Sequence, residues 1–254
     1  MMNALYSAAT GMSAQQVGMD VIANNLANVN TAGYKATRLT FEDLLYTQVG
    51  SRQASLEGAQ VGMGVAPART ELMFTQGTLT ETGSPTNMAI EGNGFFRVQV
   101  GDQYRYTRDG NFSVDANGQL VTSNGYRLDP EIVIPQDTDL ASISLTPTGR
   151  MTAKVGGVST VLGQVEIVGF SNPAGLLPIG DNLFAPTINS GDPTMGIPGT
   201  GDRGFVRGGF IEASNVSTME EMINMITSQR AFESVAKVIS TSDEMLGIAN
   251  SIRR

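Results

Sequence analysis

The two ends of this chain carry the same pattern, and it limits what the whole can fold into. Leu5, Met12, Met19 and Leu26 stand seven residues apart, and Met225, Phe232, Ile239 and Leu246 repeat that spacing at the other end. Seven residues make close to two helical turns, so each set marks one stripe of a helix. Ala8, Ile22 and Val29 thicken the first stripe, and Val235 and Ala249 the second. A chain of this design can fold back and pair its ends as a two-helix coil. Such a molecule suits stacking with copies of itself better than a solitary existence.

The spacing predicts a first helix over residues 3–29, stopped by Thr31-Ala32-Gly33. It is roughly 40 Å long at about 1.5 Å per residue. Off the stripe it is unusual. Asp20 is its one charge, and the next charged residue is Lys35. A solvated helix face normally carries Glu and Lys. The neighbouring column is Ala4, Gly11, Gly18 and Asn25, nearly all small. Small residues let another backbone come close, and a glycine inside a helix costs about 1 kcal/mol relative to alanine. The expected helix is marginal alone and ordered by neighbours. Gly11, Gly18, Asn24, Asn25 and Asn28 are the candidate lateral contacts, because they lie off the stripe and the amides both donate and accept.

The last helix begins at Ser217-Thr218-Met219-Glu220-Glu221, which holds two overlapping capping-box spacings, and runs to about Ile252. Residues 38–49 fit either a short helix or an extended arm. Residues 50–66, with Gly58, Gly62 and Gly64, read as a linker or a long extended loop. From 67 to 211 the pattern is β. Short runs at 104–107, 111–114, 119–122 and 126–128 are separated by Asp109-Gly110, Asn117-Gly118 and Asn124-Gly125, which predicts an antiparallel meander of tight hairpins. Residues 165–170 read as another strand, Gly92-Asn93-Gly94 as a turn before the strand 95–100, and 186–204 as a surface loop. The fold class is therefore α+β, with paired, coiled-coil-like terminal helices around a central all-β domain of antiparallel strands. The divisions fall at 1–34, 35–66, 67–211 and 212–254.

Composition removes whole classes of function. The 254 residues include no Cys, His or Trp, so a disulfide, a thiol nucleophile, a Ser-His-Asp triad and a His/Cys metal site are all impossible. The net charge of −8 argues against a nucleic-acid surface. No run of about 18 apolar residues is present, so no membrane insertion is expected. The N-terminus lacks the positive region of a cleaved signal peptide. Asp109, Asn111, Ser113 and Asp115 alternate like a calcium loop, but Val114 and Leu120 stand where that loop needs Gly and Glu. No metal, cofactor or catalytic residue is expected. A carboxylate-based glycan hydrolase is the remote enzymatic alternative, with Asp109 and Asp115 as its only close pair in a β region. The methionines, 13 in all, cluster at helical spacing at both ends, as adaptable packing residues.

The stretch Ala23-Asn24-Asn25-Leu26-Ala27-Asn28-Val29-Asn30-Thr31-Ala32-Gly33-Tyr34-Lys35 resembles the N-terminal signature of the bacterial flagellar rod and hook proteins. Gln76-Gly77-Thr78-Leu79, Ala89-Ile90-Glu91-Gly92-Asn93-Gly94-Phe95-Phe96 and Tyr106-Thr107-Arg108-Asp109-Gly110-Asn111-Phe112 resemble its central signature. Glu212-Ala213-Ser214-Asn215-Val216 and Gln229-Arg230-Ala231-Phe232-Glu233 resemble its C-terminal one, with Phe232 where the family often has Tyr. The resemblance covers essentially the whole chain. Its length and Phe41-Glu42-Asp43-Leu44-Leu45-Tyr46 point to the distal part of the rod, with the proximal part as the alternative. The resemblance implies a structural subunit whose terminal helices line an inner tube, polymerising helically into a stiff hollow shaft that transmits torque and passes exported subunits. It implies self-association as partner, with other rod and hook proteins, the rings around the rod and the flagellar type III export apparatus. It places the chain in the basal body, in the rod crossing the periplasm, exported without a cleaved signal peptide. The residues expected to pair the helices are Leu5, Met12, Met19, Ile22, Leu26, Val29, Met225, Phe232, Val235, Ile239 and Leu246.

Overall fold

A computed structural model describes residues 2–49 and 59–252. The fold is α+β: a helix at each end, and antiparallel strands between them. The chain divides into two compact units. One comprises Met1–Ala27, Thr37–Leu72 and Ser217–Arg254; the other comprises Asn28–Ala36 and Met73–Val216.

In the first unit, helix α1 (Met2–Ala27) packs along helix α2 (Thr218–Ile252). α1 ends two residues earlier than its apolar pattern. Asn28, Val29 and Asn30 form a turn in which Thr31 N–H donates to the Asn28 carbonyl at 3.1 Å, the kind of local alternative that asparagine favours over helix. α2 opens on Ser217, whose hydroxyl accepts from Glu220 N–H at 3.4 Å, and Glu220 and Glu221 place negative charge at the positive end of the helix dipole.

Residues 38–49 are extended, not helical. Strand β1 (Thr37–Asp43) is followed by β2 (Tyr46–Val49), and β3 (Ala59–Gly62) leads into β4 (Val65–Leu72). β1 pairs with β4 from Thr37↔Leu72 to Asp43↔Val65, and β2 pairs with β3 from Tyr46↔Gly62 to Val49↔Ala59. Leu44 N–H to the Gly64 carbonyl (2.9 Å) and Met63 N–H to the Leu45 carbonyl (3.1 Å) join the two pairs into one long hairpin. The central part of the expected 50–66 loop, residues 50–58, lies outside the described residues, and residue 67 falls inside β4. The hairpin runs against α1. At Gly64, with φ of +106°, a Cβ would lie 2.1 Å from Thr10 Oγ1, so only glycine permits this approach.

The second unit is built on a seven-stranded antiparallel sheet. Its order is Leu177–Gly180, Leu183–Ala185, Gln103–Thr107, Phe96–Val100, Arg127–Asp129, Leu120–Thr122, Phe112–Val114. The turns at Gly118 and Gly125 (φ of 81° and 82°) close hairpins as their dipeptides predict. Asp109-Gly110 does not. Gln103–Thr107 pairs with Phe96–Val100, and Phe112–Val114 pairs with Leu120–Thr122, so residues 108–111 cross from one place in the sheet to another. The loop 186–204 also contains a strand, Thr194–Gly196, paired with Ile167–Gly169. Met88, Ile90, Phe96, Val98, Leu128, Met151 and Ile167 are among the fully buried core residues. Each such side chain contributes about 2 kcal/mol of burial.

Candidate assembly surface and a buried ionic cluster

The first unit has almost no core of its own. Among the described residues its buried hydrophobic side chain is Ala14; neither α2 nor the hairpin contributes one. Leu5, Met12, Met19, Ile22 and Leu26 on α1, and Met225, Phe232, Val235, Ile239 and Leu246 on α2, are each only partly covered. Val29 sits past the end of α1 and is not on the helix stripe. The opposite side of α2 is apolar and open: Met219 is 72% exposed and Ile248 60%, and Met222, Ile223, Ile226, Val238 and Met245 are exposed with them. At 100° per residue these positions lie roughly across the helix from the Phe232–Ile239 side. A helix apolar on two sides belongs inside something larger than one chain.

The residues expected to make lateral contacts divide. Gly11 faces open space, with nothing within 4 Å of a built Cβ, and Asn24 is exposed. Gly18 is met by the Phe41 ring of the same chain at 3.8 Å. Asn25 is used internally: its Nδ2 donates to the Thr37 carbonyl and to Glu221 Oε1, both at 2.8 Å, and its Oδ1 accepts from Thr37 N–H at 2.9 Å. It is buried and ties α1 to β1 and α2 within one chain. Asn28 lies in the turn after α1, where its Oδ1 accepts from Thr31 Oγ1 at 3.2 Å.

The second unit holds a buried ionic cluster that the sequence did not single out. Glu212 Oε1 accepts from Lys35 Nζ at 2.6 Å and from Gly77 N–H at 2.9 Å, and Oε2 accepts from Arg108 Nη1 at 3.3 Å. Lys35 Nζ also donates to the Thr75 carbonyl, and Arg108 Nη2 to the Gly92 carbonyl, both at 2.8 Å. The Lys35 and Glu212 side chains are fully buried. Burial pulls the Lys35 pKa below its ordinary value, against the Glu212 charge that raises it, and burial lowers Arg108 in the same way. Beside the cluster, Asn215 Oδ1 accepts from Ala36 N–H at 2.7 Å while its Nδ2 donates to the Met73 carbonyl at 2.7 Å. Gly33, with φ of +69°, leaves no room for a Cβ, which would lie 2.5 Å from Asp109 N. Residues 33–36, 73–77, 108–109 and 212–215 are thereby tied into one polar knot.

Three protein-family models match the chain. A flagella basal body rod protein model matches residues 5–35, a flagellar hook protein FlgE/F/G D1 domain model residues 89–153, and a flagellar basal body rod FlgEFG C-terminal model residues 207–252. The flagellar basal-body rod protein FlgG of Borreliella burgdorferi is 47% identical over the full length of both chains. The chain belongs to the flagellar basal-body rod protein family. FlgG of Agrobacterium fabrum is 46% identical over 98% of each chain, and FlgF of Caulobacter vibrioides 35% identical over 96% of this chain and 94% of its own. In this rod protein each matched region supplies one member of the ionic cluster: Lys35 from the first, Arg108 from the second, Glu212 from the third. The available signal was that charged residues sat inside all three signature stretches; their meeting is a property of the fold.

Proposed function

We propose that this rod protein is the distal-rod subunit of the flagellar basal body, and that it polymerises helically through its terminal helices into a stiff hollow shaft. The reading rests on one observation above all: the first unit buries little more than Ala14 while α2 exposes apolar side chains away from α1. Within one chain those side chains remain in water. In a helical array each is covered by a neighbour, at about 25 cal/mol for every Å² removed from solvent. A heterologous contact of this kind, repeated without closing, gives a filament. The protein then needs no chemistry of its own, because torque passes through packing. Other rod and hook proteins continue the shaft, rings surround it where it crosses the periplasm, and the type III export apparatus delivers the subunit. The identity to FlgG relatives over whole chains supports the distal over the proximal position.

The long hairpin of the first unit is proposed as the stiffening element. It has few large apolar residues to anchor a core, and its partly exposed Tyr46 and Val61 are placed for a neighbouring subunit to grip. Deleting residues 48–62 removes most of the β2–β3 pair. The expected product is a soluble, exportable subunit whose polymer curves, seen in electron micrographs. Straight polymers from the deletion deny the hairpin its mechanical role, and an unfolded monomer makes it part of the fold instead.

A further inference from the structure

The second unit contains a cleft of about 450 Å³ whose walls include Phe74, Phe95 and Phe170 and whose polar lining includes Arg108, Asp202 and Arg203. Phe95 packs edge-on against both Phe74 and Phe170, at 5.4 and 5.6 Å between ring centres, so the apolar wall is rigid. Both arginines bring a defect with them. Among the described residues, Arg108 Nε and Arg203 Nε are buried donors with no hydrogen-bond partner. Arg108 is 4% exposed and Arg203 half-buried, its guanidinium donating through Nη2 to the Thr194 and Met195 carbonyls at 3.3 and 3.2 Å. Charge is unbalanced as well. Behind the wall, Lys35 and Arg108 share the single carboxylate of Glu212, and at the rim Asp202 faces Asn93, whose Nδ2 donates to Oδ2 at 3.3 Å. The charged residues that line the cleft are two cations, Arg108 and Arg203, and one carboxylate, Asp202, while Glu212 is already shared by Arg108 and Lys35. An uncompensated positive charge lining a cleft is relieved by an arriving carboxylate.

We infer that the cleft receives an acidic side chain flanked by large apolar ones, and that the occupant is the segment Phe41–Tyr46 of a second copy of this chain. This inference rests on the polymeric reading above. The segment has the complementary chemistry. Glu42 and Asp43 are exposed, and so are Phe41, Leu45 (84%) and Tyr46. Phe41–Asp43 and Tyr46 are strand residues paired with β4 and β3, so the segment presents its side chains from a hairpin, and the cleft is of a size that takes a few side chains. Other exposed acids also stand beside exposed apolar residues: Glu220 and Glu244 ride on a helix about 10 Å across, and Asp139, next to Leu140, already accepts from Ala141 N–H at 3.1 Å. The chain as a whole is acidic, so a locally positive apolar cleft is a distinctive address on it.

The test titrates a fluorescent peptide of residues 40–46 into the full chain, kept dilute enough to stay monomeric, and reads anisotropy. Saturable binding is expected. Arg203→Gln should weaken it about tenfold, and so should Gln and Asn in place of Glu42 and Asp43 in the peptide, since each removes a charge-assisted hydrogen bond. Asp202→Asn should tighten binding, a gain that misfolding cannot produce. No binding, or binding indifferent to all three changes, overturns the inference. Displacement of the peptide by inorganic phosphate at millimolar concentration with no dependence on Phe41 and Leu45 also overturns it, leaving a simple anion site. The assay does not need a polymer, so a chain that never polymerises defeats the rod reading separately, and a polymerising chain that ignores the peptide defeats this inference alone.

Discussion

Leu26→Asp is expected to abolish filament formation while leaving the β-rich unit folded. Leu26 lies one residue before the end of α1, partly covered, on the same side as Leu5, Met12 and Met19. In the proposed polymer that side would be enclosed by α2 and by neighbouring subunits. A carboxylate there is buried without a counter-charge, at a cost of several kcal/mol in each subunit, and the penalty recurs at every copy added. The core of the second unit, around Phe96, Leu128 and Ile167, is drawn from residues 88–206 and excludes Leu26. Circular dichroism should therefore keep its β signature while electron micrographs show no filaments. Filaments from Leu26→Asp would remove the helix stripe from the account of assembly.

Glu212→Ala should be the most damaging single change within the second unit. It strands Lys35 and Arg108, two buried cations, with no carboxylate between them, and breaking a buried pair in this way costs about 3–5 kcal/mol. Lys35→Met should cost less, because Arg108 and Glu212 then remain as a neutral pair. The ranking matters more than either value, since a cluster that acted only through packing would not distinguish the two. The sign with pH is also set. Burial lowers the Lys35 pKa, and Glu212 holds it up. In Glu212→Ala the folded-state pKa drops further below the unfolded one, so the unfolded chain binds more protons in the window between them and stability rises with pH there. The deficit of the variant relative to the parent should thus shrink as pH is raised toward the alkaline range. Urea unfolding at several pH values, followed by the β signal, measures both effects; a deficit that is equal for Lys35→Met and constant with pH contradicts the ionic account.

What could be read from the sequence was what is local. The seven-residue spacing and the Ser217 cap locate both helices, and Asn117-Gly118 and Asn124-Gly125 locate two hairpins. Asp109-Gly110 carries the same dipeptide signal, yet it joins strands that are not neighbours, because strand order depends on partners far along the chain. Periodicity set Asn25 and Gly18 off the stripe and so toward another subunit. It could not show that β1 of the same chain returns to cover both, bringing Thr37 to Asn25 and Phe41 to Gly18. The ionic cluster was hidden for the same reason: Lys35 and Glu212 are 177 positions apart, and neither has a local pattern that requires the other. Lys35, the first cation after a charge-poor stretch, and Arg108, just before Asp109-Gly110 in a β region, are the residues that a search for buried charge would have tested.

The central claim is that the terminal helices are completed by other copies of the chain. Hydrogen exchange on the same preparation as dilute monomer and as polymer tests it directly. The account predicts rapid exchange of residues 2–27 and 218–252 in the monomer, where Ala14 is their one buried apolar side chain among the described residues, with residues 95–170 protected, and protection of all three regions in the polymer. Strong protection of both helices in the monomer, unchanged on assembly, would contradict it.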